Sequence, residues 1–457
     1  MTRTNKSGKQ GGMDGLTTLT RQLEQVKAQA FEGVDGWKHI TLGDIGSEPN
    51  CLIQTGPFGS QLHKHEYRDH GVGVVNPTHL SDNRIAHEDV PRVSNETANR
   101  LERHRLATGD ILFARRGEIG RHGLVTEAEN GWLCGTGCFL VRIRREDVNN
   151  HFLSFFLTTG ETVDWLNRHA AGVVMPNLSN SVLHRVPIAL PPLAEQRKIA
   201  AMLGLVQRAM EQQERLIALS TELKKALVHQ LFTQGLRGEP QKQTEIGPVP
   251  ESWEVVKLGD QFDTQLGKML SQKARTGDDP KPYLRNKNVQ WGAIDITDLL
   301  SMDFNERERG KFILVPGDLL ICEGGEPGRA AIWRGAMTEC YYQKALHRLR
   351  PKSDTVSNEF LAHWLEFALR YQDLYGVAGA SSTIAHLPEV QLKMLQVPLP
   401  SRNEQDTLVE SLNAVDNKIA LHQSKHAAFT ALFRTLLHQF MTAQIRVHNL
   451  KLRIEQI

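Results

Sequence analysis

The chain has only five cysteines in 457 residues (Cys51, Cys134, Cys138, Cys322 and Cys340). They are odd in number and form no CxxC pair, which excludes a disulfide framework and fits reduced thiols. No run of 18 apolar residues is present, which excludes a membrane-spanning helix. The first fifteen residues are polar and glycine-rich and lack the apolar centre of a signal peptide, so a cytoplasmic protein is expected. Charge of one sign is also lacking. The net charge is +2 and the pI near 8.2, so a polyanion partner would need the basic residues gathered on one surface. Hydrophobic content of 40% and charged content of 23% are ordinary for a globular protein.

Catalytic signatures are missing as well. There is no GxxxxGK[ST] phosphate loop and no [DN]PP[YF] motif of amino-methyltransferases. Asn76-Pro77-Thr78-His79 begins like the latter but lacks the second proline and the aromatic residue. Gly117, Gly120 and Gly123 have the spacing of turns rather than a dinucleotide fingerprint. Glu222-Leu223-Lys224 matches a nuclease ExK fragment but falls in a long helical pattern. For metals, Cys134 and Cys138 lack a matching second pair, and Trp132 and Phe139 beside them suggest buried thiols. His63, His65, Glu66, Asp69 and His70 crowd one loop and have chelating chemistry, although a solvated or phosphate-facing loop explains them better. No catalytic residue, resident metal or cofactor of this chain is expected.

What is present is a duplication. Leu227-Val228-His229-Gln230-Leu231-Phe232-Thr233 returns as Leu436-Leu437-His438-Gln439-Phe440-Met441-Thr442, and 438 − 229 = 209. Leu190-Pro191-Pro192-Leu193-Ala194-Glu195-Gln196 returns as Leu399-Pro400-Ser401-Arg402-Asn403-Glu404-Gln405 at the same offset. Trp37-Lys38-His39-Ile40-Thr41-Leu42-Gly43-Asp44 opens the first copy and Trp253-Glu254-Val255-Val256-Lys257-Leu258-Gly259-Asp260 the second. Between Gly109–Arg121 and Gly317–Arg329, seven of 13 aligned positions are identical. The framework is kept while the loops between vary in length, which lets one scaffold read two targets.

Each half reads as short strands between glycine turns, at 109–114 and 137–144, then 317–322 and 344–350. Phe139-Leu140-Val141-Arg142-Ile143-Arg144 alternates with the period of a strand. Helical stretches follow near 151–166 and 358–375. A long helix then starts after Pro191-Pro192 and again after Pro400, with Glu195 and Glu404 in the first turn, where they suit the helix dipole. The apolar stripe of the first runs Ile199, Leu203, Val206, Met210, Ile217, Leu223, Leu227, Leu231. The second runs Leu408, Leu412, Val415, Ile419, Phe429, Leu432, Leu436, Phe440. About 39 residues at 1.5 Å each span roughly 58 Å, and a narrow stripe of that length needs a helical partner. The duplicate is the expected partner, packed antiparallel, with Gln213, Ser220, His422 and His426 as polar interruptions of the seam. The boundaries predicted are an N-terminal segment 1–36, partly disordered with an amphipathic helix over 16–31; a first globular half 37–190; a central helix 191–235; a linker 236–252; a second half 253–399; and a C-terminal helix and tail 400–457, the tail beyond Ile445 extending the helix. The fold class is α+β: two duplicated α/β domains separated by a pair of long antiparallel helices, with pseudo-two-fold symmetry.

The remaining polar residues suggest binding. Gly56-Pro57-Phe58-Gly59-Ser60-Gln61-Leu62-His63-Lys64 offers backbone N–H groups, the Ser60 hydroxyl and the Lys64 cation to a phosphate. Arg115, Arg116 and Arg121 flank a glycine turn, and arginine on a loop can fork onto guanine or phosphate. The second half supplies Lys268, Arg285, Asn286, Lys287, Asn288, Gln290 and Arg329, and Asn and Gln are the adenine-reading types. Residues 76–80, including Asn76 and Thr78, correspond to 285–289, and Arg121 to Arg329.

Together these segments resemble the specificity subunit of type I restriction–modification systems over 37–445. The 56–60 turn looks like the opening of one class of its target recognition domain. Segments 267–270, 283–291 and 317–326 look like another class, and the Pro-x-x-x-Glu-Gln start of each long helix is similar to the start of that family's spacer helices. The resemblance implies two target recognition domains reading the halves of a split double-stranded DNA sequence, with the helices as a ruler for the gap. It implies two adenine-N6 methyltransferase subunits as partners and, for restriction, two motor–nuclease subunits, with S-adenosylmethionine and ATP/Mg bound there rather than here. Arg115-Arg116 stand where the second copy has Glu323-Gly324, so the two halves are expected to read different bases and the target to be asymmetric.

Overall fold

The computed structural model describes residues 36–49, 51–81, 83–170, 177–275, 277, 279–375 and 386–447. The expectations for residues 1–35, including the helix over 16–31, lie outside them. The chain divides into two compact units. Unit 1 holds residues 1–212 and 426–457, and unit 2 holds 213–425.

Unit 1 is built on a four-stranded antiparallel sheet of β1 (Leu52–Thr55), β2 (Ile111–Ala114), β3 (His122–Leu124) and β4 (Cys138–Arg142), in the order β1-β4-β2-β3. Unit 2 repeats it with β5 (Phe262–Leu266), β6 (Leu319–Cys322), β7 (Ala330–Ile332) and β8 (Leu346–Pro351), in the order β5-β8-β6-β7. The register is also repeated. Leu112 faces Leu140 and Gly123, and Leu320 faces Arg348 and Ala331, each pair displaced by 320 − 112 = 208. One face of each sheet carries alternate residues such as Ile111, Phe113, Phe139 and Val141 into a core with Phe152, Phe156 and Leu166. In unit 2, Leu319, Ile321 and Leu349 meet Phe360, Trp364 and Leu365. The helical stretch read near 151–166 is two helices, Asn150–Leu157 and Gly160–His169, because the Thr159 side chain caps the second. Its counterpart is Asn358–Leu365 followed by a π-helical turn, Glu366–Tyr371.

The long helices are α1 (Leu193–Gln234) and α2 (Arg402–Met441). Their Glu-Gln start has a structural reason. Gln196 is fully buried; its Oε1 accepts from the Asn149 N–H, and its Nε2 donates to the Asp147 and Pro191 carbonyls. Gln405 makes the same three bonds with Ser357, Thr355 and Pro400. One side chain thus welds each helix start to the loop leading into the preceding short helix. In unit 1, Ile199 and Leu203 near the start of α1 share a core with Leu437, Phe440 and Met441 at the end of α2. In unit 2, Leu408 and Leu412 near the start of α2 share a core with Val228, Leu231 and Phe232 near the end of α1. Each unit therefore holds an antiparallel pair of segments.

The predicted seam needs correction at two equivalent places. Leu223 is 57% exposed and Leu432 43% exposed, and the next residue of each helix, Lys224 or Phe433, turns inward instead. The stripe drifts because 3.6 residues per turn do not keep a fixed three-or-four step over ten turns. Val206, Met210, Leu227, Val415, Ile419, Phe429 and Leu436 are half-buried. Gln213 and His422, the same position in the two copies, meet in the seam with His422 Nδ1 2.8 Å from Gln213 Oε1. The described part of the tail, Arg446 and Val447, does not extend α2, and residues 448–457 lie outside the described residues. The helix ends at Met441, Ala443 adopts a left-handed φ of 54°, and Arg446 turns back to form two bonds with Glu195. The stretch read as a linker contains a hairpin, Gln241–Thr244 with Gly247–Pro250, whose Val249 is buried in the core of unit 2.

Candidate nucleic-acid interface

In an antiparallel sheet all strand ends on one side come together. In unit 1 that end holds the turns after Thr55, after Ala114, before His122 and before Cys138. These turns touch. A Cβ on Gly56 would lie 1.9 Å from the Gly135 carbonyl oxygen, and one on Gly135 would lie 2.2 Å from Asn76 Oδ1, so only glycine allows the approach. Arg115 N–H donates to the Gly137 carbonyl. Unit 2 gathers the equivalent turns. A Cβ on Gly267 would lie 2.3 Å from the Gln343 carbonyl oxygen, and Glu323 N–H donates to Ala345. The chain returns to both rims at the same place, where Leu178 N–H donates to the Arg115 carbonyl and Leu387 N–H to that of Glu323.

A short 3-10 turn completes each rim, Pro77–His79 in unit 1 and Asn286–Asn288 in unit 2. The Asn76 N–H donates to His79 Nδ1, and the Arg285 N–H to Asn288 Oδ1. Arg121 and Arg329 fasten the glycine loops to these turns, Arg121 through Nε to the Leu80 carbonyl at 2.8 Å and Arg329 to the Asn286 carbonyl at 2.7 Å.

The residues singled out from sequence are not placed alike. Ser60, Lys64, Thr78, Arg116, Lys287 and Gln290 are exposed. Arg121, Lys268, Arg285, Asn288 and Arg329 are used within the protein. Lys268 Nζ lies 2.6 Å from Glu308 and 4.8 Å from the Phe304 ring centroid. Asn288 is 1% exposed and donates to the Asp295 and Asp298 carbonyls. Arg285 and Lys287 converge on Asp298 at 3.0 and 2.7 Å, and with Lys287 first they hold its carboxyl below the usual range. Asn76 and Asn286 are half-buried on the rim. Arg115 lays its guanidinium 5.8 Å from the Phe139 ring centroid, and its buried Nε has no protein partner.

The 56–64 turn offers fewer free amides than its sequence suggests. Phe58 N–H donates to Gln61 Oε1, and the Gln61 and Leu62 N–H groups donate to the Phe58 carbonyl. The histidine-rich loop is also engaged internally, Glu66 pairing with Arg100 and accepting from the His63 N–H. Among the described residues no group of three His, Cys, Asp or Glu could hold a metal ion. Cys134 and Cys138 are buried thiols whose pKa values burial pushes well up. Sequence reasoning missed Lys344 and Thr136, which occupy the same turn in the two rims; Lys344 is exposed and lies before β8 rather than in it. The signal was the Gly135-Thr136-Gly137 spacing, which marks a turn. Among the described residues no helix is long and apolar enough to cross a membrane.

The family model for the type I restriction modification DNA specificity domain matches residues 35–220 and again 250–430. The type I restriction enzyme MjaVIII specificity subunit of Methanocaldococcus jannaschii is 24% identical over 319 residues, covering 68% of this chain and 74% of its own length. The putative MjaX specificity subunit of the same organism is 23% identical over 385 residues, covering 82% and 88%. Among solved structures, the type I restriction–modification S subunit from M. genitalium superposes with a TM-score of 0.58 at 15% identity, covering 88% of this chain and 96% of its own, a likeness of fold. Two matches of the domain model in tandem, each over one copy of the sheet and its helix, show that the chain belongs to the type I restriction–modification DNA specificity subunits and carries two target recognition domains.

Proposed function

We propose that the two rims read the two halves of a split, asymmetric double-stranded DNA sequence, and that α1 and α2 set the gap between the half-sites. The observation that carries this reading is the same set of turns gathered at the same end of both sheets, with unlike residues on top. Arg116 is exposed on the first rim, where the second has the buried Gly324. Lys287 and Lys344 are exposed on the second, where the first has Thr78 and Thr136. A conserved frame with different tips suits recognition of two different base sequences.

In this reading the chain is a non-catalytic scaffold. It docks two adenine-N6 methyltransferase subunits, and two motor–nuclease subunits when the system restricts. S-adenosylmethionine and ATP with Mg belong to those partners. Their phosphate contacts also reconcile DNA binding with a net charge of only +2.

The test is co-expression with the cognate methyltransferase subunit, followed by methylome sequencing. A split motif with methyladenine in each half is expected. A palindromic motif would refute the asymmetry, and no new methylation from an assembled complex would refute the reading altogether. Arg116→Ala should then cost about 1–3 kcal/mol on the cognate duplex if Arg116 touches a base, or weaken all duplexes alike and lower the salt slope if it touches phosphate.

A further inference from the structure

Each rim carries one large apolar side chain in the same position, and the recognition reading above does not use it. Phe58 is 54% exposed and Met269 is 62% exposed. Both stand two residues after the rim glycine that ends the first sheet strand, Gly56 or Gly267, and 269 − 58 = 211 is also the offset between those glycines. Phe58 is the only exposed large hydrophobic among the described residues of unit 1 outside the long helices and the tail.

The local structure forces these side chains outward. Pro57 is buried, so Phe58 points the other way, and its backbone is fixed by three hydrogen bonds with Gln61 and Leu62. Lys268 is drawn inward by Glu308 and the Asp303 carbonyl, so Met269 is turned out. Exposed Arg116 and Thr78 lie on the first rim, and Lys287 and Lys344 on the second. An apolar group held rigidly within a polar and cationic rim has one natural counterpart on duplex DNA. The major-groove edge of a base pair presents donors, acceptors and a single apolar group, the C5 methyl of thymine. Inserting a wedge between base pairs would instead require unstacking, at a cost of a few kcal/mol.

We infer that Phe58 and Met269 each read the methyl group of a thymine, one in each half of the target. This inference rests on the proposed recognition role and adds a base requirement to it: each half-site contains a thymine next to the residues that the rim cations contact.

The test uses the full chain in complex with its methyltransferase subunits and a duplex of the methylome-derived target. Thymines are replaced one at a time by deoxyuridine, which lacks only the methyl group. One replacement in one half-site should weaken binding about three- to tenfold, the loss of one buried methyl group. The same replacement should cost nothing further in Phe58→Ala, and Met269→Ala should behave likewise for the other half. Because both side chains are exposed, neither substitution should move the thermal midpoint. A half-site without thymine overturns the inference, as do costs of substitution and deoxyuridine that add independently. Equal binding by wild type and Phe58→Ala overturns it too. A loss in Phe58→Ala with every deoxyuridine neutral overturns it in favour of insertion between bases. If the unmodified complex recognises no split site, the recognition role itself fails, an outcome visible before any substitution is made.

Discussion

Replacing Lys224 by alanine is the sharpest test of how the helices are held to the recognition domain of unit 2. Lys224 is 7% exposed, with Nζ 2.7 Å from Glu366 and 2.8 Å from Asp416. Burial alone would lower its pKa, but Glu366 and Asp416 outweigh it and hold the lysine above its ordinary value. Removing one partner of a fully buried pair costs about 3–5 kcal/mol. Here the cost is smaller. Glu366 keeps Arg370 at 2.8 Å and the Tyr371 hydroxyl at 3.2 Å, and the cluster lines a cavity of about 720 Å³ that admits water. A loss of about 2–3 kcal/mol is expected, or a fall in thermal midpoint of about 5–10 °C for a unit of this size. The equivalent residue of α2 is Phe433, whose ring centroid lies 5.8 Å from that of Phe155. An uncharged solution therefore exists in the same fold, and Lys224→Met with Glu366→Gln should recover most of the loss. Calorimetry of the full chain and the single and double variants at pH 7 decides it. A Lys224→Ala midpoint within 1 °C of wild type, or a double variant as unstable as the sum of the singles, would show that the charges are solvated and the reasoning wrong.

Further expectations concern the frame, the rims and the ruler. Asp110 is fully buried between Arg142 and Arg144, at 2.6 and 2.8 Å, so Asp110→Ala should cost about 3–5 kcal/mol in denaturant unfolding. Gly56→Ala should cost about 1–3 kcal/mol and weaken cognate DNA binding, since its Cβ would collide with Gly135 and shift the Phe58 turn. Burial lowers the pKa of His104 to about 4, helped by Arg103. The unfolded chain therefore binds a proton between about pH 6.5 and 4 that the folded chain refuses; stability should fall with acidification across that window, and His104→Gln should flatten the slope. Inserting one heptad into both long helices should lengthen the methylated gap, whereas an insertion in one helix should abolish methylation.

The duplication made most of the architecture legible. The two central strands of each sheet, both long helices and their antiparallel pairing follow from motifs repeated at offsets of 208 and 209. The places that were not legible have physical reasons. Leu223 and Lys224 are neighbours in one helix, and hydrophobicity alone selected the wrong one, because a buried lysine is recognisable only by its carboxylates on Glu366 and Asp416. Asn288 and Arg329 have the chemistry of base readers, yet they close a 3-10 turn by bonding to backbone carbonyls, which residue type alone does not reveal. Gln196 and Gln405 looked like family markers and proved to be welds. Phe58 was visible in its motif, but its outward direction is set by Pro57 and Gln61, which no periodicity encodes.

The division of unit 1 into two distant stretches of chain has a consequence for biosynthesis. Its core includes Leu437, Phe440, Met441 and Val447, which leave the ribosome after the whole of unit 2. Until then, Ile199, Leu203 and Phe155 lack the part of their core that these residues supply. Unit 2 is continuous in sequence and can close as soon as residue 425 has emerged. The nascent chain thus passes through a stage with one finished half and one sticky half, the species most prone to aggregate or to be captured by a chaperone. A chain cut between residues 425 and 437 should therefore be far less soluble than the full chain.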